Sequence, residues 1–419
     1  MSNLLRSRLN RLSGNQETVS KVDDTAKMPN DEQSKVWAQL GVFTENTPHG
    51  SFLLRKLAYS LEHIHGAYQL QQLLDIIPAL TVFDPGQQVS SEQLLFFDLE
   101  TTGLGSGSGN IPFMTSIGYV AQEQFIIEQA LICHPVEEFA MLSYMLDKMN
   151  SYSYLVTYNG KSFDWPLLQN RMVMNRLRQK QWQPKHIDLL HPSRAVWRNT
   201  LTSCKLSYVE EKRLGIERVD DVPGSLAPQL YFQYLAEQNP TVLEGVFRHN
   251  EWDILSLATL LTRFGQLLSG QEEQKAAKPT TFEELVRTGL WLEKMNVPSL
   301  AEPLYHLAKK TEDSTATALI LLATRHKKAG YWSEAVLLWQ KVIIMNSSSI
   351  ESKLECYVEI AKFFEHREKN FTVALQYMND AEQMLVSNRY SHLLTEKERN
   401  WLQQCRHRMN RLQNKLKVL

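Results

Sequence analysis

The run Leu94-Leu95-Phe96-Phe97 gives way to Asp98-Leu99-Glu100, and this is the stretch that most limits the fold. Consecutive apolar residues that end abruptly in an acid read as a buried strand delivering charge at its C-terminal end. Side chains alternate along a strand with a period of two, so Asp98 and Glu100 project from the same face. Carboxylates held this close raise one another's pKa and resist joint ionisation unless a cation compensates. Hard carboxylate oxygens suit Mg²⁺ or Mn²⁺, and the lack of Cys and His beside them makes zinc a poor choice.

The surrounding pattern predicts an α/β fold. Residues 113–121 and 124–132 read as an antiparallel hairpin broken at Gln122-Glu123-Gln124, so the first three clear strands form a meander. A helix is expected over 137–149, a buried strand over 154–158, a helix over 164–179 and a short strand over Ile187–Leu190. Helical spacing dominates 205–268 apart from the turn-rich DDVPGSLAP at 220–228. The result is a mixed sheet flanked by helices.

Four units are expected along the 419 residues. Residues 1–35 are polar and read as a tail or linker, in which Leu4, Leu5, Leu9 and Leu12 can line one face of a short basic helix or simply fray. Residues 36–90 lead in to the first clear strand. Residues 91–270 form the α/β domain, and a polar QEEQKAAKPT segment closes it before an all-helical region at 280–419. Gly289, Ala301, Tyr305 and Ala308 align with Ala323, Ala335, Trp339 and Val342 at a spacing of 34 residues, which resembles tetratricopeptide repeats. Ala374, Tyr377 and Ala381 give a third copy displaced by five residues. The final helix carries Trp401, Leu402, Cys405, Met409, Leu412 and Leu416 at helical spacing, with Arg406, Arg408, Arg411, Lys415 and Lys417 as a solvated cap or a basic contact surface.

Composition excludes several classes. With 45 basic and 46 acidic residues no global field draws the chain to nucleic acid, so such affinity must be local. A mean hydropathy of -0.33 and the absence of a long apolar run speak against a membrane protein. The N-terminus lacks an apolar signal core, and the four scattered cysteines form no CxxC pair, as expected for a cytoplasmic chain.

The remaining acids arrive in order. FFDLETTGLGSGSG is followed by YNGKSFD at 158–164 and HNEWD at 249–253. DLETTGL resembles the first exonuclease motif of the DEDD superfamily, NGKSFD the second and HNEWD the third, across about residues 90–265. Together with CKLSYVEEKRLGI and the DDVPG turn, the stretch is similar to the bacterial YprB-type ribonuclease H-like proteins, which join such a domain to tetratricopeptide repeats. The resemblance implies a ribonuclease H-like fold and a 3′-to-5′ exonuclease in which Asp98, Glu100, Asp164 and Asp253 ligate two Mg²⁺ or Mn²⁺ ions. Two cations about 4 Å apart would balance both the attacking and the leaving oxygen of an in-line displacement.

The fifth group departs from the pattern. The tyrosine subtype places its hydroxyl four residues before the last Asp and the histidine subtype places His five before it, whereas here His249 stands four before Asp253 and Arg248 five before it. Residues i and i+4 share a helix face, so His249 can look into the same site, as a general base or as a group that orients water. The resemblance further implies that Thr101, Thr102 and Asn159 contact the terminal nucleotide. Lys161, Arg171, Arg176, Arg178 and Lys180 form a phosphate track or a solvated helix face, and Gly105–Gly109 a flap. His186 and Asp188 read as a further ligand pair or as a turn cap. The implied partner is nucleic acid with single-stranded 3′ ends. A protein partner on the repeats is a competing primary role, and internal cleavage by a structure-specific endonuclease is another.

Overall fold

The computed structural model describes residues 31–103, 109–177, 182–270, 278–386 and 394–418. Strands are numbered in chain order, and helices of two turns or more likewise. Helix α1 (Asp31–Gln39) precedes a hairpin of β1 (Val42–Thr47) and β2 (Gly50–Ser60), and β3 (Ile64–His65) pairs only with β4 (Tyr68–Gln69). The central strands are β5 (Leu94–Thr101), β6 (Pro112–Ala121) and β7 (Gln124–Leu131), followed by α2 (Glu138–Met149), β8 (Tyr154–Thr157), α3 (Asp164–Met174), β9 (Lys185–Asp188) and α4 (Leu190–Trp197). Helices α5 (Ala227–Glu237) and α6 (Glu244–Ser269) complete the domain.

Seven strands form one sheet in the order β1-β2-β7-β6-β5-β8-β9. Pairing is antiparallel from β1 to β5 and parallel from β5 through β9. This is the expected mixed sheet of a ribonuclease H-like fold. The meander of β5, β6 and β7 turns through Gln122 and Glu123, both left-handed at φ 51° and 59°, the conformation a tight hairpin needs. Residues 36–90, whose role is not legible in the sequence, extend the sheet with β1 and β2. Two expected boundaries move. Helix α3 stops at Met174, before Arg176 at φ 61°, and Leu189 and Leu190 belong to the turn and helix after β9, where both are buried.

Strand β5 is apolar on both faces because both are covered. Leu94 and Phe96 pack with Ile127, Val156 and the α6 residues Ile254, Leu257 and Leu261. Leu95, Phe97 and Leu99 pack on the other side with Leu155, Met141, Met145 and Leu168 of α2 and α3. Asp98 and Glu100 continue the even-numbered face, the one α6 crosses. At the crossing Gly118 of β6 admits α6, since a Cβ there would sit 2.4 Å from Ile254 Cγ2 and 3.0 Å from Phe125 Cζ. Gly118→Ala is expected to destabilise the fold by about 1–3 kcal/mol through overpacking, read as a lower urea midpoint. An unchanged midpoint would show that α6 yields without cost.

The all-helical region pairs α7 (Phe282–Lys294) with α8 (Pro298–Ala308), α9 (Ala316–Lys328) with α10 (Trp332–Ile344), and α11 (Ile350–His366) with α12 (Phe371–Val386), and ends in α13 (Glu396–Val418). Gly289 lies where the first pair touches, a Cβ there falling 2.5 Å from Tyr305 Cε1. The five-residue displacement of the third copy arises inside α11, which has 17 residues against 13 in α7 and α9, and in the turn after it. The array is continuous with the sheet domain: Trp197 Nε1 donates to Glu284 Oε1 at 2.8 Å, and Asn199 Nδ2 to Glu283 Oε1 at 2.9 Å. One apolar core runs from the sheet into α7–α11. The basic contact surface expected on the last helix is largely consumed internally. Arg408, Arg411 and Lys415 converge on Glu365, which is fully buried, and Arg406 pairs with Glu382. Among the described residues no helix is long and apolar enough to cross a membrane.

Candidate active site

Three separate segments bring acids to one cavity of about 270 Å³, walled by Asp98, Glu100, Thr101, Phe163, Asp164, Gly224, His249 and Asp253 among others. The end of β5 supplies Asp98 and Glu100, and a register irregularity between Glu100 and Thr101 turns the strand end so that both of those residues reach the wall. Asp164 opens α3. Asp253 and His249 lie on one face of α6, with His249 Nε2 3.4 Å from Asp253 Oδ2. Among the described residues, one potential ligand atom each from Glu100, His249 and Asp253 lie within 4.8 Å of one another.

The supporting contacts explain why these side chains hold. Asn250 Nδ2 donates to Asp98 Oδ2 at 2.8 Å, while its Oδ1 accepts from Gln129 Nε2 at 2.7 Å. That chain ties β5 to α6 and to β7. The loop before α3 is fixed by Asp188, whose Oδ1 accepts from the N–H groups of Asn159 (2.8 Å) and Leu190 (3.0 Å) and whose Oδ2 accepts from Lys161 N–H (3.1 Å). Asp188 is therefore a turn cap, and His186 bonds instead to Thr157 Oγ1 through Nε2 at 2.7 Å. Asn159, at φ 64°, serves that turn through its backbone and is not part of the cavity wall. Thr101 lines the cavity with its hydroxyl given to Gly103 O at 2.7 Å, whereas Thr102 closes the strand end against Ile111. Arg171 is no phosphate track, being buried in a two-pronged pair with Glu138. Lys161 and Arg176 are exposed. Arg178, Lys180 and the loop at 104–108 lie outside the described residues.

Several members of the site were given no individual role by the sequence. Arg218 reaches in from the segment before the DDVPG turn, with its side chain only 6% exposed. It donates through Nε and Nη2 to fully buried Glu210 at 2.7 and 2.6 Å, pairs with Asp253 Oδ1, and lies 3.3 Å from Asp221 Oδ2. Asp221 in turn contacts His249 Nδ1. Phe163 is 44% exposed at the cavity wall. A wider cavity of about 790 Å³ shares Gly224, His249 and Asp253 and extends past Lys205, Ser207 and Tyr208.

Electrostatics mark the acids as a set that lacks its counter-charge. Burial pushes the Asp98 carboxyl well above the usual range, and Asp253, Asp164 and Glu100 push it further, against the Asn250 hydrogen bond. Glu100 rises for the same reasons, burial first and then Asp253 and Asp164. Asp164 is pushed up to about 7 by burial, with Asp188 and Asp253 adding to it. The donor set is oxygen-rich and anionic, and the guanidinium described beside it, that of Arg218, is shared among Glu210, Asp221 and Asp253. Such a set fits hard divalent cations.

A pH dependence follows from these directions. A carboxyl whose folded pKa lies above its unfolded value near 3.9 stabilises the fold fully only below that value, and the contribution is lost as pH rises through the folded pKa. For Asp164 the window runs from about 4 to about 7. Added Mg²⁺ competes with those protons, so its thermal stabilisation over an EDTA control should be small near pH 5 and larger near pH 8. Scanning fluorimetry across that range checks this, and a flat or falling Mg²⁺ shift contradicts it.

Residues 95–264 match a family model described as RNase_H superfamily. The chain is 34% identical over 353 residues to the uncharacterized protein YprB of Bacillus subtilis (strain 168), an alignment covering 83% of this chain and 82% of that protein. An acid-lined cavity at the end of a mixed sheet, inside a matched superfamily domain and within an alignment of most of both chains, leads to one assignment: the chain belongs to the YprB family and carries an RNase H superfamily domain.

Proposed function

We propose that the chain is a metal-dependent 3′-to-5′ exonuclease hydrolysing phosphodiester bonds at single-stranded ends of DNA or RNA. The observation that carries this is the meeting of Asp98, Glu100, Asp164 and Asp253, far apart in sequence, in one cavity with three carboxyls pushed up in pKa. Those four residues would hold two Mg²⁺ or Mn²⁺ ions, which supply charge compensation for the attacking and leaving oxygens of phosphodiester hydrolysis. His249 presents Nε2 to the same cavity and takes the proton from the attacking water. Asp98 is kept in register by Asn250, and Asp164 by the Asp188-capped loop. Thr101 and the exposed ring of Phe163, both on the wall, meet the terminal nucleotide, and an aromatic face stacks bases without regard to sequence. The adjoining wider cavity gives the strand room to lie.

The test is release of mononucleotides from end-labelled single-stranded and duplex DNA and RNA with Mg²⁺ or Mn²⁺. Wild type should shorten the label and Asp98→Ala should not. If both leave every substrate intact, the proposal is wrong. Cutting of a circular strand would replace it with an endonuclease, because an exonuclease has no end from which to start.

A further inference from the structure

We infer that Asp221 is a positioning residue for His249, accepting the Nδ1 hydrogen so that the bare Nε2 of the ring faces the acid cavity. The kinetic consequence rests on the nuclease reading above. The tautomer does not.

The shortest contacts to the ring favour one proton placement. Both Asp221 carboxylate oxygens lie near His249 Nδ1, Oδ1 at 2.9 Å and Oδ2 at 3.0 Å. A carboxylate accepts and does not donate, so the hydrogen between them sits on Nδ1. Arg218 Nη1, 3.1 Å from the same nitrogen, could bond it only were Nδ1 bare; the two Asp221 oxygens are nearer, and the same Nη1 has an alternative acceptor in Asp221 Oδ2 at 3.3 Å. With Nδ1 protonated, the neutral ring keeps its lone pair at Nε2, whose 3.4 Å separation from Asp253 Oδ2 is longer than the 2.9 and 3.0 Å contacts that draw the hydrogen to the other nitrogen.

The turn that carries Asp221 is built against the start of α6. Arg248 Nη2 donates to Asp220 O at 2.6 Å, which gives a positional role to the residue standing five before Asp253. Gly245 lets the turn approach, since a Cβ there would fall 2.4 Å from Val222 Cγ2. Gly224 then closes over the other side of the ring, where a Cβ would come within 3.0 Å of His249 Nε2. The DDVPG turn therefore supplies an acceptor at one ring nitrogen and a side-chain-free position at the other.

Selective ¹⁵N-histidine labelling of the full-length, metal-free protein reads the tautomer, with the His249 signal identified by its loss in His249→Gln. Wild type should show the Nδ1–H form. Asp221→Ala should shift the signal toward the Nε2–H form, and Asp221→Asn, whose amide oxygen can still accept, should hold it. In steady-state nuclease assays Asp221→Ala should lower kcat by roughly 10–100-fold with KM unchanged, and Asp221→Asn should recover much of it. Asp221→Ala placed in the His249→Gln background should cost nothing further, because the two act through one atom. An Nε2–H signal in wild type, a tautomer indifferent to Asp221→Ala, or losses that multiply in the double variant would each overturn the inference. A wild type without nuclease activity would remove the function proposed above, and the ¹⁵N signals would still decide the pairing.

Discussion

Asp98→Asn should lower turnover on the order of a thousandfold and yet raise the melting temperature of the metal-free protein. The two effects share one cause. Asp98 is a half-buried, desolvated carboxylate facing Asp253, Asp164 and Glu100, and each of those charges opposes its ionisation. Without a cation the set is repulsive, so neutralising one member relieves the fold by about 1–2 kcal/mol, a few degrees in melting temperature. The amide oxygen can still accept from Asn250 Nδ2, which holds Asp98 Oδ2 at 2.8 Å, so the strand end should keep its place. What disappears is the charge that, in the proposed function, would hold the cation. Single-turnover cleavage of a labelled strand reads the first effect, and calorimetry in EDTA with and without Mg²⁺ reads the second. In the variant the Mg²⁺ shift should shrink. A variant that melts lower in EDTA and keeps its full Mg²⁺ shift would show that Asp98 is a structural acid.

The strand–acid junction at 94–100 was legible because burial and charge alternate sharply there, and the two later acid segments were legible because their spacing repeats a known order. The helical array was readable for a similar reason: Gly289, Ala301, Ala323 and Ala335 must be small where paired helices touch, so their period survives in the sequence. Its third copy shifted because α11 is longer, which leaves packing intact while spoiling the count. The hairpin of β1 and β2 was missed although the Thr47-Pro48-His49-Gly50 turn between strand-forming runs could have revealed it. Arg171, Arg408 and Arg411 were open to reading as contact surface because a sequence records charge and not its buried partner. The roles of Arg218 and Asp221 were invisible for a deeper reason. They sit in irregular chain, without periodicity, and their meaning depends on α6 passing beside the turn. Asn250, by contrast, lies inside HNEWD, and its position on the helix face between His249 and Asp253 was a usable signal.

Arg218→Met should be the most destabilising single change around the site. The substitution keeps much of the side-chain volume but removes the partner of Glu210, a carboxylate with no solvent exposure. Leaving such a charge unpaired costs about 3–5 kcal/mol, which for a chain of 419 residues corresponds to a fall in melting temperature on the order of five degrees. Asp253 loses its guanidinium at the same time and must rely on a bound cation alone. Mg²⁺ should therefore stabilise the variant more than the wild type, by a mass-action term that grows with its concentration. The companion change Glu210→Gln should recover a large part of the loss, since the pair costs little when both charges go and much when one stays. Thermal melts of the single and double variants, each with and without Mg²⁺, separate these contributions. If the double variant melts no higher than Arg218→Met alone, the loss comes from packing over Trp252, whose ring the guanidinium covers at 5.7 Å, and not from the stranded carboxylate.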